Sequence, residues 1–244
     1  MYTNDPPYVV VMTSDKYIDA VRPYSYLLNK YWVPNPRVFV MGFTPPSFKL
    51  PENFSFHSLG NFSDYPFDKW SNALHKAMEI VPDEVAVIML EDYWITRQVD
   101  TRAVKILYDY MRQFRYVIKM DLYTDRLYAF GADLNYGHVA YIDLVKSMPG
   151  SPYHFSWMTG LWRKEHLLRH APLNESPHQM ELVGSTRLSH DQNVLVLGTR
   201  NCPIRHTLAF RGNDPKKLLL DELDKSDIDQ LRSMGYLRPW EGNQ

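Results

Sequence analysis

The chain has 244 residues, 45% of them apolar and 23% charged, the balance of a soluble globular protein with enough apolar material for a substantial core. Lysine and arginine number 27 against 28 aspartate and glutamate, a formal charge of -1, which excludes a surface that grips phosphate backbones over its whole extent. A local basic groove is compatible with that balance. No apolar run approaches the roughly 20 residues of a membrane-spanning helix, and the first residues carry neither a basic start nor an apolar signal core. Cys202 is the only cysteine, so an intramolecular disulfide is excluded and a thiolate zinc site is disfavoured. The expectation is a soluble, cytoplasmic protein with one core and no membrane span.

Residues 8–12 (Tyr-Val-Val-Val-Met) form a short β-branched run between Pro7 and Thr13-Ser14-Asp15, the pattern of a buried strand. Tyr17, Ile18, Val21, Tyr24, Leu27 and Leu28 then follow helical spacing, with Ser14 or Asp15 as candidate cap. Residues 37–43 read as a second strand and 56–59 as a short third. Residues 68–81 read as a helix with Pro82 just beyond it, and 85–90 (Val-Ala-Val-Ile-Met-Leu) as the most apolar strand. Asp100-Thr101 opens another helix, through Ile106, Leu107, Tyr110 and Met111, and 116–122 forms a fifth strand.

The second half is less regular. Residues 153–157 and 194–197 read as strands, 161–170 as a helix, and 216–234 as a C-terminal helix pair. Strands alternating with helices over short connections predict an α/β fold: a mostly parallel central sheet with helices on both faces. A single domain is expected, with a nucleotide-binding half over about residues 8–125, an acceptor half over 126–212 and a helical appendage over 213–244.

Open parallel sheets bind ligands outside the carboxyl ends of their strands. Two such ends carry dense polar groups, Thr13-Ser14-Asp15 after the first strand and Glu91-Asp92 after the strand 85–90. Parallel strands share a direction, so both ends are expected on one side of the sheet. No Gly-x-Gly-x-x-Gly follows the first strand and no Gly-x-x-x-x-Gly-Lys-Ser/Thr occurs, which makes a Rossmann dehydrogenase or P-loop NTPase improbable. Without a glycine cradle, a bound diphosphate needs other neutralisation, and carboxylates at a strand end supply it through Mg2+ or Mn2+. Asp92 is the best-placed ligand. The plain reading of the pair is a turn with solvated carboxylates.

Three segments then resemble a known family. Leu90-Glu91-Asp92-Tyr93-Trp94, Leu161-Trp162-Arg163-Lys164-Glu165-His166-Leu167 and Glu175-Ser176-Pro177-His178-Gln179-Met180-Glu181 occur in the order and spacing of a glycosyltransferase-like family common in phage, marine and bacterial genomes. The order of strands and polar ends likewise resembles the GT-A nucleotide-sugar glycosyltransferase fold. The likeness covers roughly residues 8–212. It departs from the family at His178, where tryptophan is expected, and at Glu91-Asp92, which stands for an Asp-x-Asp motif.

The resemblance implies a hexosyltransferase-type enzyme that moves a sugar from a nucleotide-sugar donor to a hydroxyl acceptor with help from a divalent metal, Mn2+ or Mg2+. It places Thr13, Ser14, Asp15 and Tyr17 against the base and ribose, and Trp70 and Ser71 along the nucleoside pocket. It makes Asp92 the metal ligand, with Glu91 as its partner and His206 as a later ligand, while Arg205 and Arg211 meet the phosphates. An inverting enzyme also needs a base for the acceptor hydroxyl. Glu181 is the first choice, with Glu175 in the same segment and Asp191 beside His190 as the fallback. A structural hydrogen bond that anchors the acceptor-side loop is the plain alternative for Glu181. Trp162 offers a stacking surface for an acceptor sugar.

The acceptor is a glycan, a lipid-linked sugar or a modified DNA base, and near-zero net charge argues mildly against DNA. The alternative function is a non-catalytic nucleotide-sugar or glycan-binding module of the same fold. A nucleotidyltransferase typically has a Gly-rich basic loop after the first strand, which Thr13-Ser14-Asp15-Lys16 does not supply. His166 and His170 stand at i, i+4, yet Leu167 replaces the glutamate of a zinc-protease helix, so two surface histidines are expected there.

Overall fold

The computed structural model describes residues 7–123, 134–210 and 218–241. The first half alternates as expected. Strand β1 (Val9–Met12) is followed by α1 (Val21–Tyr31), β2 (Val38–Gly42), β3 (Phe54–Ser58), α2 (Trp70–Ile80) and β4 (Val85–Leu90). Then come a short strand β5 (Tyr93–Ile95), α3 (Thr101–Gln113) and β6 (Val117–Asp121). The Asp100 carboxylate caps α3 by accepting the Ala103 amide at 2.9 Å.

The second half brings β7 (Leu134–Val139), β8 (Ile142–Lys146), β9 (Gly160–Arg163), α4 (Lys164–His170), α5 (Pro177–Ser189), β10 (Leu195–Thr199) and β11 (His206–Leu208). Two short helices end the described chain, α6 (Lys225–Ser233) and α7 (Arg238–Glu241).

Nine strands form one sheet in the order β3-β2-β1-β4-β9-β6-β10-β8-β7. The pairs β1–β2, β2–β3, β1–β4 and β6–β10 are parallel, whereas β9 runs against both β4 and β6. Strand β8 is antiparallel to both β10 and β7. Only β8 and β9 are therefore reversed, and the sheet is mostly parallel.

Alternate residues of the central strands feed two cores. Val9, Val11, Val85, Val87 and Met89 pack with α1 and α3, while Val10, Met12, Ala86 and Ile88 pack with α2 and residues of α4 and α5. Burial on both faces explains why these strands read as continuous apolar runs rather than alternating ones. Leu231, Leu237 and Trp240 belong to the first of these cores. Buried Asp227 of α6 accepts from Lys30 and Tyr31 of α1, which ties the C-terminal helices to the body.

Four sequence expectations change. The described part of the span 216–234 holds one helix, α6, rather than a pair, because residues 218–224 form a bridge and turns and α7 follows only beyond the span. The span 161–170 is not one helix, since Leu161 and Trp162 belong to β9 and point into opposite cores. The slot between β4 and β6 overrides the helical pattern, and Gly160 fits there because a Cβ would stand 3.0 Å from the Met120 carbonyl oxygen. The span 153–157 is a loop rather than a strand, and α5 was not anticipated although Ser176 and Gln179 form a capping box with Pro177 in the first turn. Neither Ser14 nor Asp15 caps α1; a short 3-10 turn, Ile18–Ala20, leads into the helix instead. Among the described residues, no helix is long and apolar enough to cross a membrane.

Candidate active site at the carboxyl ends of the strands

Parallel pairing in register sets Met12 beside Leu90, so the residues that follow, Thr13 and Glu91, leave the sheet side by side. The two polar strand ends are adjacent, as their parallel direction requires. Thr13 is buried, Ser14 half-buried and Asp15 exposed. Asp15 accepts from the Thr44 amide and hydroxyl, both at 2.9 Å, and so links the ends of β1 and β2. Tyr17 packs on Phe210 with ring centroids 5.7 Å apart.

Glu91 and Asp92 form the turn between β4 and β5. Their backbone carbonyls accept from Trp94 Nε1 at 3.1 Å and the Ala209 amide at 2.8 Å, which pins the turn from both sides. Burial raises the Asp92 carboxyl to about 6. It raises the Glu91 carboxyl well above its ordinary range, and the neighbouring Asp92 charge pushes it further. Two adjacent carboxyls are thus held where ionisation is costly, an arrangement that a cation would relieve.

Strand β11 pairs antiparallel with β5 and places His206 opposite Ile95. The His206 ring lies between Tyr93 and Tyr123, with centroids 4.5 and 4.2 Å away. The side chain is 2% exposed, neither ring nitrogen has a hydrogen-bond partner among the described residues, and burial lowers its pKa to about 3. It is a neutral imidazole with unused ligand atoms. The donor chemistry of Glu91, Asp92 and His206 fits a divalent cation. These three do not form a group whose ligand atoms all lie within 4.8 Å of one another. Mg2+ and Mn2+ commonly rest on one or two carboxylates and complete their shell with substrate phosphates and water, so the residues fit such an ion without a closed cage.

Other candidates occupy different surroundings. Ser71 is fully buried; its hydroxyl accepts the Glu175 amide at 2.9 Å and its amide donates to the Glu175 carbonyl at 3.0 Å. It therefore joins α2 to the segment before α5 and presents nothing to a nucleoside. Half-buried Trp70 packs edge-on against Trp157 at 4.9 Å. Arg205 is exposed, and its carbonyl receives the Thr96 amide at 3.0 Å. Arg211 lies outside the described residues.

Trp162 is 1% exposed, packed on Phe155 at 4.9 Å and covered by the Lys119 ammonium at 5.0 Å, so it offers no face to an acceptor sugar. Glu181 Oε1 accepts the Trp157 amide at 3.0 Å. Glu175 forms a two-pronged ion pair with Arg187 at 2.7 and 2.6 Å. Asp191 precedes β10 and lies 3.5 Å from His170, at the opposite end of the sheet from Glu91.

No protein-family model matches the chain, and no curated protein is similar enough in sequence to match it. Solved structures of partial similarity include the galactosyltransferase LgtC with donor and acceptor sugar analogues (12% identity, TM-score 0.38, 67% of this chain). CMP:2-keto-3-deoxy-manno-octonic acid synthetase with CTP is similar at 14% identity and TM-score 0.44, over 78% of this chain and 88% of that one. The UTP-bound UGPase of Acinetobacter baumannii is similar at 8% identity and TM-score 0.43, over 80% of this chain and 85% of that one. The chain spans about 60% of the LgtC chain it matches.

Two groups near this end were not singled out in the sequence. Lys119, fully buried in β6, reaches Asp121 Oδ1 at 2.6 Å and donates to the Ser156 carbonyl and hydroxyl at 2.9 and 3.1 Å. The signal was present as two charges inside an otherwise apolar strand, Val-Ile-Lys-Met-Asp-Leu. Their pairing fixes the 154–159 loop over the end of β6, where the Thr159 carbonyl receives the Leu122 amide at 3.0 Å. Two open surface depressions, of about 500 and 440 Å3, lie instead at the start of β2–β3 and beside α1.

Proposed function

We propose that the chain transfers a sugar from a nucleotide-sugar donor to a hydroxyl acceptor, with the donor seated across the ends of β1 and β4. The observation that carries this reading is the pair Glu91-Asp92, buried and half-buried, at the end of the central strand beside Thr13, with the buried imidazole of His206 on the strand that pairs with β5. Thr13, Ser14 and Tyr17 bind the nucleoside side. Asp15 sets the shape of that rim through Thr44.

Asp92 and Glu91 would hold Mn2+ or Mg2+, with His206 as a further ligand. When bound, such an ion stabilises the charge that develops on a departing nucleoside diphosphate. The chain's own residues do the rest: the turn holds Glu91 buried and Asp92 half-buried, and burial against Tyr93 and Tyr123 keeps His206 neutral. Glu181 acts as a positioning residue that holds the Trp157 loop on the acceptor side. Arg205, exposed beside His206, steers the diphosphate. The acceptor is a glycan or lipid-linked hydroxyl, in keeping with the near-neutral charge.

The test is a thermal-shift screen of nucleoside diphosphates and nucleotide sugars with and without Mn2+, followed by an assay for nucleoside diphosphate release. Expected are a metal-dependent rise in Tm with one nucleotide, its loss in Asp92→Asn, and turnover of the matching donor. Binding without turnover, with or without a glycan acceptor, would favour a non-catalytic binding module. No shift with any nucleotide would overturn the donor site.

A further inference from the structure

We propose a second, independent metal site for a zinc-type divalent ion at the opposite end of the sheet, formed by His166, His170 and Asp191. Their ligand atoms all lie within 4.8 Å of one another, and they are the only such trio among the described residues. One turn of α4 separates the two histidines, so both imidazoles share one helix face, with centroids 6.5 Å apart and planes 13° from parallel. That face meets the segment between α5 and β10, where the Asp191 amide bonds to the Leu188 carbonyl at 3.1 Å. Asp191 Oδ1 accepts the Asn193 amide at 3.2 Å, which turns Oδ2 toward His170.

The spacing is that of two ligands around one ion. His170 Nε2 and Asp191 Oδ2 are 3.5 Å apart. A charge-assisted N–H···O bond closes to about 2.7–2.9 Å. Two ligands of a tetrahedral ion with bonds of about 2.0–2.1 Å stand about 3.3 Å apart. Among the described residues His166 Nδ1 and His170 Nε2 are buried and make no hydrogen bond, so both nitrogens are available. Burial lowers both histidines below their ordinary pKa, which favours the neutral form that binds metal.

The neighbouring charges are engaged elsewhere: Glu165 pairs with Arg169 at 2.8 Å, and Arg187 with Glu175 at 2.6 Å. Two imidazoles and one carboxylate suit zinc or another late first-row ion better than Mg2+ or Ca2+, which prefer oxygen. The bound ion clamps α4 to the foot of α5, the helix that carries Glu181 nearer its other end. Its role is structural, away from the strand-end site.

The experiment titrates the metal-stripped full chain with Zn2+ alone, reading Tm and bound metal, and with Co2+, reading visible absorption. Wild type is expected to bind a single Zn2+ at this site and to gain about 5–10 °C at a hundredfold excess over Kd. A tetrahedral Co2+ spectrum is expected alongside. Asp191→Asn, nearly isosteric, and His166→Gln, half-buried, each weaken binding about tenfold or more and remove the Co2+ bands. Asp92→Asn leaves both signals in place, which separates this site from the donor site. Absence of Zn2+ binding in wild type overturns the proposal. So does binding unchanged in both site variants, or binding lost in Asp92→Asn.

Discussion

The backbone amide of Trp157 donates to Glu181 Oε1 at 3.0 Å, so a helix carboxylate anchors the loop that leads into β9. Trp157 in turn packs on Trp70 at 4.9 Å and donates its indole N–H to the Pro177 carbonyl at 3.2 Å. One side chain therefore links α2, α5 and the 154–159 loop. Glu181→Ala leaves a part-buried amide without its acceptor and is expected to cost about 1–3 kcal/mol, read from urea unfolding. Glu181→Gln retains an acceptor oxygen and should keep the fold, with transfer reduced less than tenfold. A general base would lose about a hundredfold or more on the same change, with Tm preserved. That larger loss would replace the positioning role by a catalytic one.

The Asp92 carboxyl has an ordinary value of 3.8 and is raised to about 6 in the folded chain. Between those values the folded form binds the extra proton, so its contribution to stability falls as pH rises through the window and stays lost above it. Asp92→Asn imitates the protonated state. Without metal, the variant should exceed wild type by about 1–3 kcal/mol near pH 7.5, and the gap should close towards about pH 4. Mn2+ plus donor reverses the order at neutral pH. Chemical unfolding across that range checks both statements, and a gap independent of pH contradicts them.

His206 contributes with the opposite sign. Its ordinary value of 6.5 is lowered to about 3, so below 6.5 the unfolded chain takes up a proton that the folded chain refuses. This contribution is intact above 6.5 and lost as pH falls towards 3. It opposes the Asp92 slope between about pH 4 and 6, so wild type alone shows only their difference. His206→Phe keeps a ring between Tyr93 and Tyr123. The variant should lie within about 1.5 kcal/mol of wild type at neutral pH and gain on it steadily on acidification. Its metal-dependent nucleotide shift should shrink. Parallel stability curves for the two proteins would contradict the buried neutral imidazole.

Lys119 and Asp121 are 0% and 2% exposed and stand 2.6 Å apart. Lys119→Met removes a cation that the buried carboxylate relies on, at an expected cost of about 3–5 kcal/mol in urea unfolding. Adding Asp121→Asn should recover part of that loss, because the pair acts as a unit. Simple additivity of the two substitutions would count against the coupling.

The alternation of the first half was legible because each strand there is a β-branched run buried on both faces and each helix has one apolar stripe. Residues 9–12, 38–42 and 85–90 show this, and the adjacency of Thr13 and Glu91 followed from their shared direction. The sequence by itself thus determined the layered α/β architecture and which polar residues end its strands. The resemblance to a family added His206 as a candidate ligand.

Contacts between segments distant in the chain decided the rest. Leu161-Trp162 carries helical spacing, yet it is a strand because a slot between β4 and β6 accepts it antiparallel. Ser71 and Trp162 look like pocket residues in one dimension, but partners about a hundred and about forty positions away bury them. His166 and His170 read as a surface pair until α5 delivers Asp191 beside them, 21 residues after His170. Local propensity and periodicity register only near neighbours in sequence, whereas desolvation and ligand geometry depend on which remote side chains the fold sets within a few ångströms.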